Sequence, residues 1–320
     1  MDSIWQALPR PFFALAPMAN ITDAAFRRVV TRVGKADILW TEFVSADGLQ
    51  SRGKEKLLID FLYSEEERPI IAQLFSGKPE NIERSAVLCA ELGFDGVDIN
   101  MGCPDKTVEK QSAGAALIKN PSLALELIAA AKQGATSASR RIPVSVKTRT
   151  GYNTHITEEW IQLLLSAHPV AITIHARTRK EMSKVPARWE EIAKAVQLAK
   201  NSGVLIIGNG DVKTVAEGRA RAQETGCDGI MIGRGAIGNP WVFAERTPDV
   251  RERFTVMRQH VSAFRQLLSA HKNFTEMRKH LAAYVKGLPG AAELRVELLN
   301  AETLDGIDTI LTREIDKNSY

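Results

Sequence analysis

Cysteine is scarce in these 320 residues: Cys89, Cys103 and Cys227 are the only three, odd in number and far apart. No CxxC pair occurs, which excludes a thiolate zinc site of the usual spacing and a disulfide framework. Histidine is sparse too, six in all, and their spacing suits no metal site. Long hydrophobic runs are missing, so no segment reads as a membrane span. The opening MDSIWQALPRPFF lacks the basic region and apolar stretch of a secretion signal. Neither sign of charge dominates, with 42 Lys and Arg against 38 Asp and Glu, a net of +4. That balance permits a polyanionic partner without requiring one. These absences describe a cytosolic, reduced protein with no metal and no membrane attachment, and no protein partner is implied.

What is present is ordinary globular material, 44% hydrophobic and 25% charged. Short apolar runs recur at 12–18, 38–45, 70–75, 96–102, 144–149, 171–177, 204–210 and 229–235. They are rich in Val and Ile and too short for separate helices. Between them lie stretches of helical period, at 81–93, 122–134 and 189–203. Eight strands alternating with helices predict a parallel sheet closed into a (β/α)8 TIM barrel. An open doubly wound sheet is the alternative. After residue 243 the strands stop and only helical periodicity remains, broken at Gly287-Leu288-Pro289-Gly290. The expected organisation is a barrel over 1–243 and a small all-helical domain over 244–320. Residues 244–300 hold ten Lys and Arg against six Asp and Glu, whereas 301–320 hold two against five. The first stretch is therefore the better surface for a polyanion.

In such a barrel the chemistry gathers at the C-terminal ends of the strands. Polar and glycine-rich positions fall there: Gln73, Asn100, Lys147, Arg149, His175, Arg177, Asn209-Gly210-Asp211 and Gly233-Arg234-Gly235. The last two groups follow strands seven and eight, the usual phosphate position of the fold, where glycine lets backbone N–H groups approach closely. Each taken singly could be a loop contact or a tight turn; their convergence on one face is the signal. Lys147 inside an apolar strand needs a reason, either as a Schiff-base amine or as a fixed cation beside an anion. Cys89 and Cys227 read as core. Only Cys103 sits at a strand end, where a thiol that is mostly protonated near neutral pH can donate a proton or act as a nucleophile.

Seven segments carry a resemblance. LAPMANITDAAFR (15–27), DINMGCPDKTV (98–108), VKTRTGY (146–152), ITIHARTR (172–179), IGNGDV (207–212), MIGRGAIGNPWVF (231–243) and MRKHLAAYVKGLPGAAELR (277–295) closely resemble the flavin-dependent tRNA-dihydrouridine synthases, above all the bacterial B-type branch. The likeness spans almost the whole chain. It implies FMN at the mouth of a barrel, a helical tRNA-binding domain and NADPH as reductant. It implies that Ala16, Pro17 and Met18 line the flavin ring, that Gln73 and Lys147 meet its polar edge, and that His175, Asn209, Gly210, Asp211, Gly233 and Arg234 complete the site. Asn100 and Arg149 would bind uracil. Flavin would give hydride to C6, and Cys103 would give a proton to C5 as general acid. Arg177, Arg179, Lys180, Arg278, Lys279 and His280 are candidates for the tRNA face. One position departs from the pattern, Ala176 standing where a glycine is expected. The competing readings are an FMN barrel oxidoreductase acting on a free pyrimidine or enone, a Schiff-base aldolase using Lys147, and a non-catalytic tRNA-binding protein.

Overall fold

The structure, a computed structural model, describes residues 4–138 and 140–318. Eight strands form a closed parallel barrel in sequence order: β1 (Phe12–Leu15), β2 (Ile38–Ser45), β3 (Ile70–Phe75), β4 (Gly96–Met101), β5 (Val144–Arg149), β6 (Ala171–His175), β7 (Leu205–Asn209) and β8 (Gly229–Ile232). The expected TIM barrel is thus present. Nearly every strand residue is buried, as parallel strands covered on both faces must be. The N-terminal helix Ile4–Ala7 carries Trp5 against Phe12 and Trp40, with ring centroids 6.1 and 6.0 Å apart. These rings belong to the apolar cluster that includes Ile71, Ile207 and Met231.

The βα alternation is less regular than the sequence suggests. Long helices follow β1 (Ala24–Gly34), β3 (Pro79–Glu91), β4 (Pro121–Ser137), β5 (Thr157–Ser166), β6 (Trp189–Ala199) and β7 (Val215–Thr225). Between β2 and β3 there are only short helices, Ala46–Leu49 and Lys54–Leu57, and tight 3-10 turns. Arg27 holds this connection to the barrel. It is fully buried, pairs with Glu67 at 2.7 Å, and donates to the carbonyls of Thr22 and Leu62.

After β8 the chain enters the helices Val250–Leu267, Met277–Tyr284, Ala291–Asn300 and Leu304–Lys317. Their core contains Phe254, Met257, Phe264, Leu281, Tyr284, Leu298 and Leu311. It also takes in Ala25 and Val29 from the first barrel helix and Trp241 from the turn after β8. Gly238 makes the close approach possible. Its φ is +71°, and a Cβ there would lie 2.5 Å from the backbone of Ala283. A polar tie crosses the same junction. Lys272 sits 2.7 Å from both Glu42, near the end of β2, and Asp60, and its side chain is only 10% exposed. Glu42 also accepts the backbone N–H of Asn20 in the loop after β1.

Removing one member of a buried ion pair strands the other, at a cost of about 3–5 kcal/mol. Lys272→Met is therefore expected to lower stability by roughly that amount, read as a shift of the urea midpoint at neutral pH. A midpoint within error of the unaltered protein would show that the triad adds nothing.

Candidate active site

A cavity of about 1340 Å³ opens at the C-terminal ends of the strands. Pockets for one small ligand usually span about 300–1,000 Å³, so this one has room for two partners. It is lined by Ala16, Pro17, Met18, Gln73, Asn100, Cys103, Lys147, Arg149, His175, Asn209, Gly210, Asp211, Gly233 and Arg234, together with Arg177. Strand register explains the gathering. Gln73 is level with Asp98, Asn100 with Lys147, Arg149 with His175, and His175 with Asn209, so neighbouring strands offer their polar residues at matching heights.

Beneath the cavity Asp98 is fully buried on β4. Burial raises its carboxyl pKa to about 6, against the pull of Ser145, Gln73 and Lys147. At neutral pH it is mainly an acceptor, taking Ser145 Oγ–H at 2.5 Å and Gln73 Nε2–H at 2.6 Å. Gln73 Oε1 then accepts from Asn100 Nδ2 at 3.0 Å. Asn100 Oδ1 accepts the backbone N–H groups of Gly102 and Cys103 at 3.1 and 2.8 Å. Gln73 and Asn100 each keep one amide hydrogen for a ligand.

Three cationic or imidazole groups share the wall. Lys147 makes one long contact, 3.4 Å to Asn209 Oδ1. Burial, then Arg149, lowers its pKa to about 8. Arg149 donates Nε–H to Gly102 O at 2.7 Å and Nη1 to Thr178 O and Met182 O, leaving Nη2 uncommitted among the described residues. His175 Nε2 lies 3.1 Å from Arg177 Nη1. A guanidinium only donates, so Nε2 accepts and Nδ1 carries the proton. Burial and the nearby Arg149 and Lys147 hold His175 well below its ordinary pKa, hence neutral.

The phosphate-type corner is built at β7 and β8. Gly233 packs so that a Cβ would lie 3.3 Å from Met18 Sδ and 3.4 Å from Ala16 Cβ, a tight floor that glycine leaves clear. Asp211 is committed, accepting from Arg177 Nη2, from Arg234 Nη2 at 2.7 Å and from Ala187 N–H at 2.9 Å. A glycine floor, a cation with a single weak partner and several spare donors fit a flat, acceptor-rich anionic ligand such as a flavin nucleotide. Among the described residues no cluster of three or more His, Cys, Asp or Glu is placed to hold a metal.

Cys103 is half-buried on the rim, packed with Phe43, Phe75, Val108 and Ala113. Burial raises its thiol pKa; the backbone N–H of Asp105 opposes this more than the Asp105 carboxylate adds to it, and Arg149 and Lys147 oppose it too. Its carbonyl accepts Ala115 N–H at 2.9 Å. Cys89 and Cys227 are buried, as expected of core residues.

The basic candidates separate. Arg177 is 2% exposed and turned inward, donating also to Val185 O at 2.6 Å. Arg179 is paired with Glu109, while Lys180 is exposed. Lys279 is exposed, and Arg278 lies with its guanidinium 5.9 Å from the Phe274 ring centre. His280 does not face solvent. It is buried 4.8 Å from Phe26 and 4.6 Å from His260, and burial lowers its pKa to about 4, so it is a neutral packing residue. Arg179, Lys180, Arg278 and Lys279 lie outside the cavity lining. Lining residues that the sequence does not single out include Phe43, Lys184, Lys213, Asn239 and Lys286. Asn239 and Lys286 fall inside the segments 231–243 and 277–295, Lys213 directly follows 207–212, and Phe43 lies in the second apolar run; Lys184 carries no local signal. Ala176 is buried with ordinary backbone geometry, so alanine needs no glycine-only conformation there.

A family model described as "Dihydrouridine synthase (Dus)" matches residues 14–318. The chain is 37% identical over 318 residues to "Probable tRNA-dihydrouridine synthase 2" of Bacillus subtilis strain 168, covering 97% of this chain and 96% of the relative. It is 37% identical over 311 residues to "Probable tRNA-dihydrouridine synthase" of Staphylococcus aureus strain MRSA252, covering 95% and 93%. Among solved structures, a variant of NCR from Zymomonas mobilis superposes with a TM-score of 0.51 at 18% identity, over 79% of this chain and 95% of that one. Morphinone reductase superposes with a TM-score of 0.52 at 12% identity, over 75% and 88%. At those identities the two structures share only the barrel. The family match and the relatives together show that this chain belongs to the dihydrouridine synthase family, an oxidoreductase family whose implied cofactor is a flavin.

Proposed function

We propose that the protein reduces the C5–C6 bond of specific uridines in tRNA, with FMN bound in the barrel mouth and NADPH as reductant. The carrying observation is Cys103, a thiol kept protonated by its surroundings, on the wall of the cavity that also holds Lys147, Arg149 and Asn100. A nucleophilic cysteine needs a depressed pKa, and this one is raised, which favours the proton-donor role. Ala16, Pro17, Met18, Gln73, Lys147 and His175 would hold the flavin ring. Asn209, Gly210, Asp211, Gly233 and Arg234 would hold its ribityl phosphate end. When bound, the reduced flavin supplies a hydride to uracil C6.

The chain's own groups account for the rest. Hydride arrival at C6 puts enolate charge on the uracil carbonyl oxygen, where the spare N–H groups of Arg149 and Asn100 can stabilise it. Cys103 Sγ–H gives its proton to C5, so one hydride and one proton saturate the bond. The thiolate left behind is favoured by the nearby cations of Arg149 and Lys147, and solvent reprotonates it. The target base has to leave its stack to enter the cavity, at a cost of a few kcal/mol. Contacts from Lys180, Arg278 and Lys279 to the tRNA backbone would offset that cost and make binding salt-dependent. Such a reaction, with a free thiol, belongs in the reducing cytoplasm.

Cys103→Ala is expected to bind flavin and oxidise NADPH but to form no dihydrouridine, scored by mass spectrometry of digested tRNA; undiminished product would remove Cys103 from the chemistry. In the unaltered enzyme the product-forming step should hold steady through neutral pH. It should decline only above the ordinary thiol value of 9.0, because the donor is lost as the raised pKa is passed. Cell extracts lacking the protein test the substrate, since their tRNA should lack one or more dihydrouridines that complementation restores.

Lys147 allows a test of opposite sign. Its folded pKa of about 8 lies below the ordinary 10.5, so at neutral pH its buried charge opposes folding. Stability lost to it is regained as pH rises from about 8 to 10.5. Lys147→Met should therefore retain less flavin on purification yet be more stable without flavin at pH 7, by up to about 3 kcal/mol. That gain should fade toward pH 10.5. A destabilised flavin-free variant would refute this account.

A further inference from the structure

We propose that Arg179 is a positioning residue for Cys103, clamping the loop that carries the thiol, and not a contact to the tRNA backbone. The inference rests on the reading of Cys103 as proton donor. Cys103 is followed by Pro104, and Asp105 caps the short helix Lys106–Glu109, accepting Thr107 N–H at 2.7 Å. The last residue of that helix is gripped from across the mouth. Arg179 Nε lies 3.0 and 3.1 Å from the two carboxylate oxygens of Glu109, and Nη2 bonds the same carboxylate at 2.5 Å. Nη2 also reaches Pro104 O at 3.4 Å, one residue beyond the thiol.

The clamp has its own support. Arg179 N–H donates to Gly151 O at 2.9 Å, and its guanidinium lies 5.4 Å from the centre of the Tyr152 ring. Lys119 Nζ lies 4.2 Å from the same ring centre. One arginine thus joins the loops after β4, β5 and β6. A bidentate Arg–carboxylate pair is directional, and its side chains are only 24% and 11% exposed. With Nε and Nη2 turned to Glu109 and Pro104, only Nη1 of Arg179 is left to a phosphate among the described residues. Its neighbour Lys180 is exposed and makes no ion pair among the described residues, so it is the better backbone contact. Arg149 ties Gly102 O on the other side of Cys103, so the thiol is fixed from both directions.

The two roles give opposite signs when Glu109 is altered. The flavin-loaded enzyme would be compared as Arg179→Met, Glu109→Gln and Arg179→Lys. Single-turnover dihydrouridine formation at saturating tRNA, tRNA affinity against salt, and the pH dependence of Cys103 alkylation by iodoacetamide would be measured. Positioning predicts that Arg179→Met and Glu109→Gln act alike. Product formation would fall roughly 10- to 100-fold, tRNA affinity and its salt slope would hold, and alkylation would speed up as the thiol loses its apolar cover. Arg179→Lys, which keeps the charge but loses the fork, should fold normally and fall between. A phosphate role predicts instead that Arg179→Met weakens tRNA binding and lowers the salt slope by about one, while Glu109→Gln frees the guanidinium and binds tRNA as well or better. That pattern, or an Arg179→Lys enzyme with unchanged rate and alkylation, overturns the proposal. If the unaltered enzyme formed no dihydrouridine, the functional reading would fail, and the alkylation profile would still decide whether Arg179 sets the thiol's position.

Discussion

A carboxylate sealed inside the barrel sets the sense of every hydrogen bond between it and the reactive rim. At neutral pH Asp98 is mainly an acceptor, so Gln73 turns its amide nitrogen inward and its carbonyl toward Asn100. Asn100 must then turn its own carbonyl toward the backbone of Gly102 and Cys103. Amide orientation is often ambiguous, but here the network leaves one choice. The start of the cysteine loop is therefore dictated from the core, and the donors left facing the cavity are N–H groups. A site furnished this way suits ligands rich in carbonyl oxygens, which both a flavin ring and a uracil are.

Around that chain the protein accepts electrostatic stress. Lys147 and Arg149 are both lowered by burial, and His175 is held neutral beside them. Asp211, which could have relieved the excess charge, is taken up by Arg177 and Arg234. Excess positive potential at the floor of this cavity is poorly suited to stability and well suited to an anionic ligand or a developing enolate. The raised thiol pKa of Cys103 belongs to the same logic, since apolar neighbours keep its proton in place until charge appears nearby.

Much of this was legible in the sequence because the relevant signals are local. Strands covered on both faces read as unbroken runs of Val, Ile and Leu, and a polar residue at the end of such a run stands out. Asn100, Lys147 and His175 were visible for that reason. The partners of the arginines were not. Glu109 lies 70 residues from Arg179, and nothing near either residue announces the pair. His280 looked basic and available, yet the first barrel helix covers it. The connection after β2 lacks a long helix although its ends are clear strands. The final helix falls inside the stretch expected to be helical, but without separate bounds of its own, although Leu304, Ile307, Leu311 and Ile315 repeat at helical spacing and Thr303 caps its start.

The shared core at Ala25, Val29 and Trp241 has a consequence for selection among uridines. The C-terminal helices are not a module hung from the barrel by a linker; they complete the apolar cover of its first helix, and Lys272 pins them to β2. Whatever surface they give to an RNA stands at a fixed offset from the thiol, like the fence on a saw bench. Choosing a different nucleotide would then require the RNA to be seated at a new angle on an unchanging frame, which a few surface side chains could accomplish while the barrel stayed as it is.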